Sequence, residues 1–502
     1  MSEVVSRDLS HLGDYDVVVI GAGIVGAMIA RELSKLDGRF VVLEKENFPA
    51  FGVSKASLSQ IHLPDFCPPG SLKGKLCKDA PRRFKRLATE LDVAYREIDE
   101  LWLALEASHL VNLEDARGRG EANGFTGYEL IGPERIRELE PHVTKRAVAA
   151  LYARGVGVIY TPEWGFALIE NAIQNGVQVN LGTVVTGITK RDDDSSYLVS
   201  TTKGTFTTRY VVNAAGLYAD EIAEMVGDRG VHLVLRKGTM VIFDKSISNL
   251  VRHHMIFGAF SESHSQDIAP TAHGNIILGI HYEKPQHKGD TKVSREAIRR
   301  VMELGQELIP ELSEKDIITS FSGILADNNM KKNNDFFIAP SERAPGVIHV
   351  MVGAPGLTAA PAISELVAKL LFDAGMDVEE KSNFQRSRLG WSRFQTASLA
   401  ERENLIAANS KYGHIVCRCE QVSEAEILEV IGRGADSMDA VKHLTRAGMG
   451  RCQGGFCGIS VLNQLEKHLR IPPTQVTKKG EGSNLVAGLT KCDGDPGVRD
   501  KC

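Results

Sequence analysis

The sequence predicts an α/β protein with a Rossmann-like N-terminal part and a small helical C-terminal domain that carries cysteines. Three observations support this. The β-branched run Tyr15–Ile20 passes directly into G-x-G-x-x-G and then into a helix-forming stretch. Two later segments, 209–220 and 346–371, each run a short apolar strand into a glycine turn, the second continuing as an apolar helix. Four of the eight cysteines fall within residues 417–457, among short helical patterns with their own capping residues.

Bulk composition sets the frame. A chain of 502 residues has room for two or three domains. Its 43% hydrophobic and 25% charged content is that of an ordinary soluble globular protein. A net charge of −5 and a pI near 6.3 leave no electrostatic footprint for nucleic acid. The opening "MSEVVSRDLSHLGDYD" lacks a basic region followed by an apolar run. The longest apolar stretch, "VVVIGAGIVGAMIA", is too short and too glycine-rich to span a bilayer. A cytoplasmic protein is expected, with cysteines serving as metal ligands or reactive thiols rather than structural disulfides.

Taken in order, the first element is a buried parallel strand, Tyr15–Ile20. Gly21 permits the tight turn, Gly23 lets a pyrophosphate approach the backbone, and Gly26 lets the following helix pack on the strand. The helix is expected over Ile24–Lys35, and its N-terminus offers N–H groups and a positive dipole to phosphates. A second strand, Phe40–Leu43, ends at Glu44, which can hydrogen-bond an adenosine ribose, with Lys45 beside it. These parts together point to dinucleotide binding. The local motif does not choose between FAD and NAD, and a ligand-free βα turn is the bland alternative.

The segments "RYVVNAAGLYAD" (209–220) and "GVIHVMVGAPGLTAAPAISELVAKLL" (346–371), taken with the N-terminus, resemble the nucleotide-contacting segments of the FAD-dependent amino-acid oxidase and glycerol-3-phosphate dehydrogenase superfamily. The resemblance implies FAD, contacted at Ala215 and Gly216 and at Gly353, Gly356, Leu357 and Thr358, where a helix N-terminus faces the flavin pyrimidine. "GTVVTGI" (182–188) resembles the strand whose backbone contacts the adenine, near Val185. In "FGVSKASLSQIHLPDFCPPGSLKGKLCKDA" (51–80), Ser54, Lys55 and Ser57 match phosphate-side positions, and Gln60, Ile61 and His62 match the segment beside the isoalloxazine. The Leu63-Pro64 that follows departs from the small residues usual there. "PPGSLKGKLC" (68–77) closely resembles a segment of L-2-hydroxyglutarate dehydrogenases. There is no second G-x-G-x-x-G with a strand and helix, so flavin electrons are expected to leave by a route other than NAD(P).

His62 is the leading candidate for the base that takes a hydroxyl proton, because imidazole titrates in the useful range. The alternative is that it only packs beneath the flavin. His273 is the second candidate, and its bland reading is a turn residue before the strand Asn275–Ile280. Arg236, Lys237, Arg252 and Arg343 are candidate cations for an acidic substrate.

At the C-terminus, Cys417, Cys419, Cys452 and Cys457 form the pattern C-x-C-x32-C-x4-C. It resembles the [2Fe-2S] domain of bacterioferritin-associated ferredoxin type, which implies these four as cluster ligands. Four thiolates are what such a cluster needs. A four-cysteine zinc site remains open, as does a redox disulfide, although the spacings suit them less well. Ser423 with Glu426 makes a capping box for "EAEILEVIGRG", "SMDAVKHLTRAG" is expected to stop near Gly448, and "ISVLNQLEKHL" starts just after Cys457. Arg418, Lys442, Arg446 and Arg451 are expected to offset the cluster's negative charge. Cys67 and Cys77 are expected to be lone thiols, and Cys492 and Cys502 to lie in a mobile tail.

The implied architecture is therefore a Rossmann-like FAD-binding domain (14–80, 151–235 and 321–375) and a mixed-sheet substrate domain (81–150 and 236–320). A linker (376–410), a helical [2Fe-2S] domain (411–475) and a flexible tail (476–502) complete it. The implied function is a flavin dehydrogenase acting on the C–OH of a small anionic substrate, either sn-glycerol 3-phosphate or an L-2-hydroxy acid such as 2-hydroxyglutarate. Electrons would pass through the cluster to a partner flavoprotein or a quinone pathway, with peripheral membrane association through that partner. Two alternatives are an amine or amino-acid dehydrogenase acting on proline, sarcosine or an opine, and an electron-transfer subunit with no substrate of its own.

Overall fold

The computed structural model describes residues 10–191, 196–261, 264–331 and 334–488. The chain divides into two compact units, Met1–Arg388 and Leu389–Cys502.

The first unit is built on two sheets. One runs in the order Phe337–Pro340, Val347–Met351, Thr205–Asn213, His11–Ile20, Phe40–Leu43, Gln178–Asn180. His11–Ile20 is parallel to both of its neighbours, with Ile20 opposite Leu43 on one side and Asn213 on the other. This register brings Gly21, Glu44 and Ala214 to the same edge, the carboxyl ends of the strands, where open α/β sheets bind ligands. Both faces are covered, so alternate residues enter different cores. Val17 and Val19 pack with the helices Ile24–Leu33, Thr161–Gln174 and Gly356–Asp373, whereas Val18 and Ile20 pack with Val199 and Phe206. The helix after the glycines stops at Leu33, two residues before the expected Lys35.

The second sheet is mixed. Its order is Ile317–Asn328, Leu233–Phe243, Ile276–Glu283, His264–Pro270, His254–Ser261, Tyr95–Ala104, Ala149–Ile159, Gln60–Ile61, with Tyr128–Ile131 also paired to Ala149–Ile159. His254–Ser261 and Tyr95–Ala104 are parallel, while the other pairs are antiparallel. The helix Arg295–Leu308 covers one face through Val301, Met302 and Leu308.

Several boundaries differ from the sequence expectation. The helix Ala80–Leu91, expected in the substrate domain, puts Phe84, Leu87 and Leu91 into the same core as Val17 and Trp164. Its apolar positions form one stripe, and the nearest uncovered apolar surface is the first core. Residues 376–388, expected as linker, are anchored to the first unit. Asp37 N–H donates to Glu379 O at 2.7 Å, and the buried Arg388 pairs with Glu170. Farther along the same stretch, Leu399–Ala408 is a helix with a Ser398–Glu401 capping box.

In the second unit the helices Glu424–Gly432, Met438–Thr445 and Cys457–Leu469 pack beside a short pairing of Ile415–Cys417 with Val422–Ser423. The middle helix stops at Thr445 because Arg446 takes a left-handed conformation (φ +72), three residues before the expected Gly448. The start of the expected mobile tail folds back. Val476 is buried, Thr477 bridges to Asn484, and Met438 N–H donates to Thr477 O. Cys492 and Cys502 lie outside the described residues. Among the described residues no helix is long and apolar enough to cross a membrane.

Candidate functional site

The glycine turn is sterically determined. Gly21 has φ +103, and a Cβ there would lie 2.5 Å from Ala214 O; one on Gly26 would lie 2.0 Å from Gly21 O. At both positions only glycine lets backbone meet backbone. At Gly23 a Cβ would lie 3.3 Å from Ser54 Oγ, a tight contact with a side chain rather than an overlap with backbone. Ser54 Oγ accepts the Ile24 N–H at 2.9 Å, capping the helix from another segment. Glu44 is 8% exposed, with Oε2 accepting from Ala22 N–H at 2.6 Å and Oε1 from Glu46 N–H at 2.8 Å. Burial raises its pKa, and these two donors pull against that rise. Lys45 pairs with Glu46 and lies 4.8 Å from the ring centroid of Tyr218.

A cleft of about 1290 Å³, including its mouth, opens between the glycine turn and the second sheet. Gly23, Gly26, Ser54, Ser57, Gly216, Gly353, Leu357 and Thr358 line it on the nucleotide side. Gly238, Met240, Ile280 and Tyr282 line it on the sheet side. Gly356 also lines it, so the helix Gly356–Asp373 opens its positive N-terminal end on the cleft. The strand Gln60–Ile61 alternates: Gln60 and His62 line the cleft, while Ile61 turns into the core. His62 N–H donates to Thr358 Oγ1 at 3.1 Å, tying this strand end to the helix start. Gln60 is 2% exposed, and neither its Oε1 nor its Nε2 has a partner. Such a pair of orphaned atoms facing a cavity is what a polar ligand would satisfy.

The remaining expected residues sit elsewhere. Val185 and Ala215 do not line the cleft, and Val185 packs in the core with Val199. His273 lies in the turn between His264–Pro270 and Ile276–Glu283, edge-on to Tyr160 at 5.5 Å, and outside the cleft lining. Cys67 and Cys77 are free thiols as expected, both fully buried and close enough to shift each other's pKa. Their segment, 68–77, lines no part of the cleft.

Sequence reasoning missed the buried charges behind His62. The His62 ring packs on Phe66 at 4.4 Å, and the His254 ring centroid lies 5.7 Å away. His254 Nδ1 is 2.8 Å from Glu100 Oε2, and its Nε2 is 3.2 Å from Asp267 Oδ1. Trp102 Nε1–H donates to Asp65 Oδ2 and Glu100 Oε1, each at 3.1 Å. Burial, then the neighbouring His254, lowers the His62 pKa to about 4. Burial also opposes charging of His254, but hydrogen bonds to Asp267 and Glu100 outweigh it and raise that group to about 9. Asp65 is raised well above the usual carboxyl range by burial and by Glu100. The one sequence signal was an acid within an apolar strand pattern, "DELWLALEA".

In the second unit Cys419 Sγ and Cys452 Sγ are 3.8 Å apart, and Cys417 and Cys457, both buried, lie close enough to shift each other's thiol pKa. Gly450 allows the two loops to approach, since a Cβ there would lie 2.2 Å from Cys419 Cβ. Backbone N–H groups of Phe456, Gly454 and Gly455 reach Cys452 and hold its thiol pKa down. Cys457 begins the helix Cys457–Leu469. Two sulfur pairs with backbone donors at a sulfur fit a four-thiolate iron–sulfur cluster. Arg446, expected to offset cluster charge, is instead paired with the buried Glu420 at 2.7 Å.

Residues 16–370 match the FAD dependent oxidoreductase (DAO) family, and residues 415–467 match the BFD-like [2Fe-2S] binding domain. The chain belongs to the FAD-dependent oxidoreductase family and carries a BFD-like [2Fe-2S] domain at its C-terminal end. Its cofactors are FAD and a [2Fe-2S] cluster. It is 36% identical to a glycerol 3-phosphate dehydrogenase of Caloramator mitchellensis, over 95% of this chain and 99% of that one. It is 26% identical to a mitochondrial L-2-hydroxyglutarate dehydrogenase of Nematostella vectensis, over 60% of this chain and 68% of that one. Among solved structures it resembles dithionite-reduced L-alpha-glycerophosphate oxidase of Mycoplasma pneumoniae with FAD bound. That match has a TM-score of 0.68 and 26% identity, covering 76% of this chain and all of that one.

Proposed function

We propose that the protein oxidises sn-glycerol 3-phosphate at its secondary hydroxyl. The observation that carries this is the 36% identity to a glycerol 3-phosphate dehydrogenase along nearly the whole of both chains, iron–sulfur region included. When bound, FAD supplies the hydride acceptor, and the cluster supplies a one-electron outlet to a partner flavoprotein or quinone pathway. The chain's own residues do the rest. The glycine turn, Ser54 and Glu44 would hold the nucleotide, Gln60 and Thr358 would offer polar groups to it from the cleft lining, and Cys417, Cys419, Cys452 and Cys457 would hold the cluster. His62 accepts the hydroxyl proton as the carbinol C–H leaves with its electron pair, giving a ketone. A neutral imidazole is the competent form, and burial favours it.

Arg236 is the cation best placed for the phosphate. It lies on the same face of its strand as Gly238 and Met240, which line the cleft, and its guanidinium is 4.9 Å from the ring centroid of Tyr282. Asp327, 2.8 Å away, orients it. The L-2-hydroxy acid reading draws on residues 68–77, which back the cleft wall rather than line it, Lys73 Nζ donating to Ala354 O at 3.4 Å. Anaerobic titration tests the proposal. Added sn-glycerol 3-phosphate should bleach the flavin, while L-2-hydroxyglutarate, proline and sarcosine should not, and R236Q should need at least about tenfold more substrate. Bleaching by 2-hydroxyglutarate in place of glycerol 3-phosphate would sink the assignment.

A further inference from the structure

Behind the cleft lies a set of ionisable groups that binding of the nucleotide does not require. One polar atom from each of His62, Glu100 and His254 lies within 4.8 Å of the others. The charged groups facing His62 come from three strands of the mixed sheet: Glu100 on Tyr95–Ala104, His254 on His254–Ser261 and Asp267 on His264–Pro270. Asp65, on the segment that carries His62, abuts Glu100. Glu100 and His254 are fully buried, and Asp267 is 3% exposed.

Geometry determines the state of the central ring. Each nitrogen of His254 faces a carboxylate oxygen, at 2.8 and 3.2 Å. An ionised carboxylate only accepts, so both nitrogens must donate, and an imidazole that donates twice is a cation. Burying such a group costs several kcal/mol unless it is paired, and apolar residues of the same volume often serve stability as well. The cluster therefore calls for a role beyond packing.

We propose that His254, clamped between Glu100 and Asp267, is a positioning residue for the reaction: a permanent cation that holds the adjoining His62 in its neutral, proton-accepting form. The proposal rests on the reading of His62 as the base. Two like charges this close disfavour each other, so a protonated His254 resists protonation of His62. The proton that His62 takes in each turnover is then held weakly and is readily given up, which returns the base to its competent state. The pKa of His62, lowered to about 4 by burial and then by His254 against the smaller opposing pull of Glu100 and Asp267, agrees.

The test compares the pH dependence of anaerobic flavin reduction by sn-glycerol 3-phosphate in the unsubstituted holoenzyme, H254Q and D267N. Removing the cation should move the acid limb upward by about one unit or more in H254Q, with no upward shift in D267N, where Glu100 still holds the cation and a carboxylate that favours protonation of His62 is lost. A uniform loss of rate with an unmoved limb overturns the proposal. The second readout needs no turnover. In holoenzyme labelled with [15N]histidine, one residue should show both ring nitrogens protonated from pH 5 to 8. Its signals should be lost in H254Q and perturbed in D267N. A neutral tautomer at that position at pH 7 overturns the proposal even if H254Q fails to fold. H62N separates the two levels. If it reduces flavin with an unaltered pH profile, the base assignment itself is wrong. If H62N is inactive while the limb of H254Q stays in place, only the role of His254 is wrong.

Discussion

At the scale of single residues, the two histidines of the site differ in their partners. His62 lines the cleft and its Nδ1 is buried without a partner, whereas both His254 nitrogens are engaged. Burial and the neighbouring His254 lower the His62 pKa to about 4, which keeps its ring neutral throughout the ordinary working range. The sign follows directly: protonation below that value removes the acceptor, so the rate of flavin reduction should fall only as pH drops through about 4, not through about 6.5. H62N should lower that rate by about 10²- to 10⁴-fold while leaving flavin bound, measured by stopped-flow absorbance. His62 was legible because it follows a short strand that resembles the flavin-side segment of the family. His254 was not, because nothing in one strand announces a carboxylate supplied by another. The expectation for Arg446 failed for the same reason: its partner, Glu420, lies 26 residues away.

At the scale of elements, local chemistry was read most reliably where sterics left little choice. Gly21 and Gly26 sit where a Cβ would overlap backbone, so the strand–turn–helix could be read from spacing alone. Gly26→Ala should therefore force the helix Ile24–Leu33 away from the turn. The expected outcome is a loss of about 1–3 kcal/mol in stability, together with weakened flavin binding, seen in denaturant melts and in the flavin content of purified protein. The Ser423–Glu426 capping box was equally legible and is present in full. Helix ends were harder. Arg446 adopts a left-handed conformation that its side chain does not advertise, and the helix ends before the glycine that propensity would choose. Membership of a core was harder still: the apolar stripe of Ala80–Leu91 says that the helix is covered, not by what.

At the scale of the molecule, the two units divide the chemistry. Flavin-side groups all come from Met1–Arg388, and the four candidate cluster sulfurs all come from Leu389–Cys502. Cys417→Ser should abolish the electron paramagnetic resonance signal of the reduced cluster. Anaerobic bleaching of the flavin by substrate should continue at close to its usual rate, and turnover with a one-electron acceptor should be lost. If bleaching stopped as well, the two functions would not be separable in this way.

The sequence by itself determined the nucleotide turn, the buried parallel strands around it and the four-cysteine pattern. Each of these is a local constraint: a steric limit at glycine, a continuous β-branched run, a fixed spacing of thiols. Only the tertiary structure decided that Gln60 faces the cleft with unsatisfied polar atoms, that residues 68–77 back its wall rather than line it, and that Glu100, His254 and Asp267 converge behind His62. Convergence of that kind depends on the register among three strands far apart in the chain. A strand's own pattern states which of its faces is buried, but not which residues of its neighbours lie opposite.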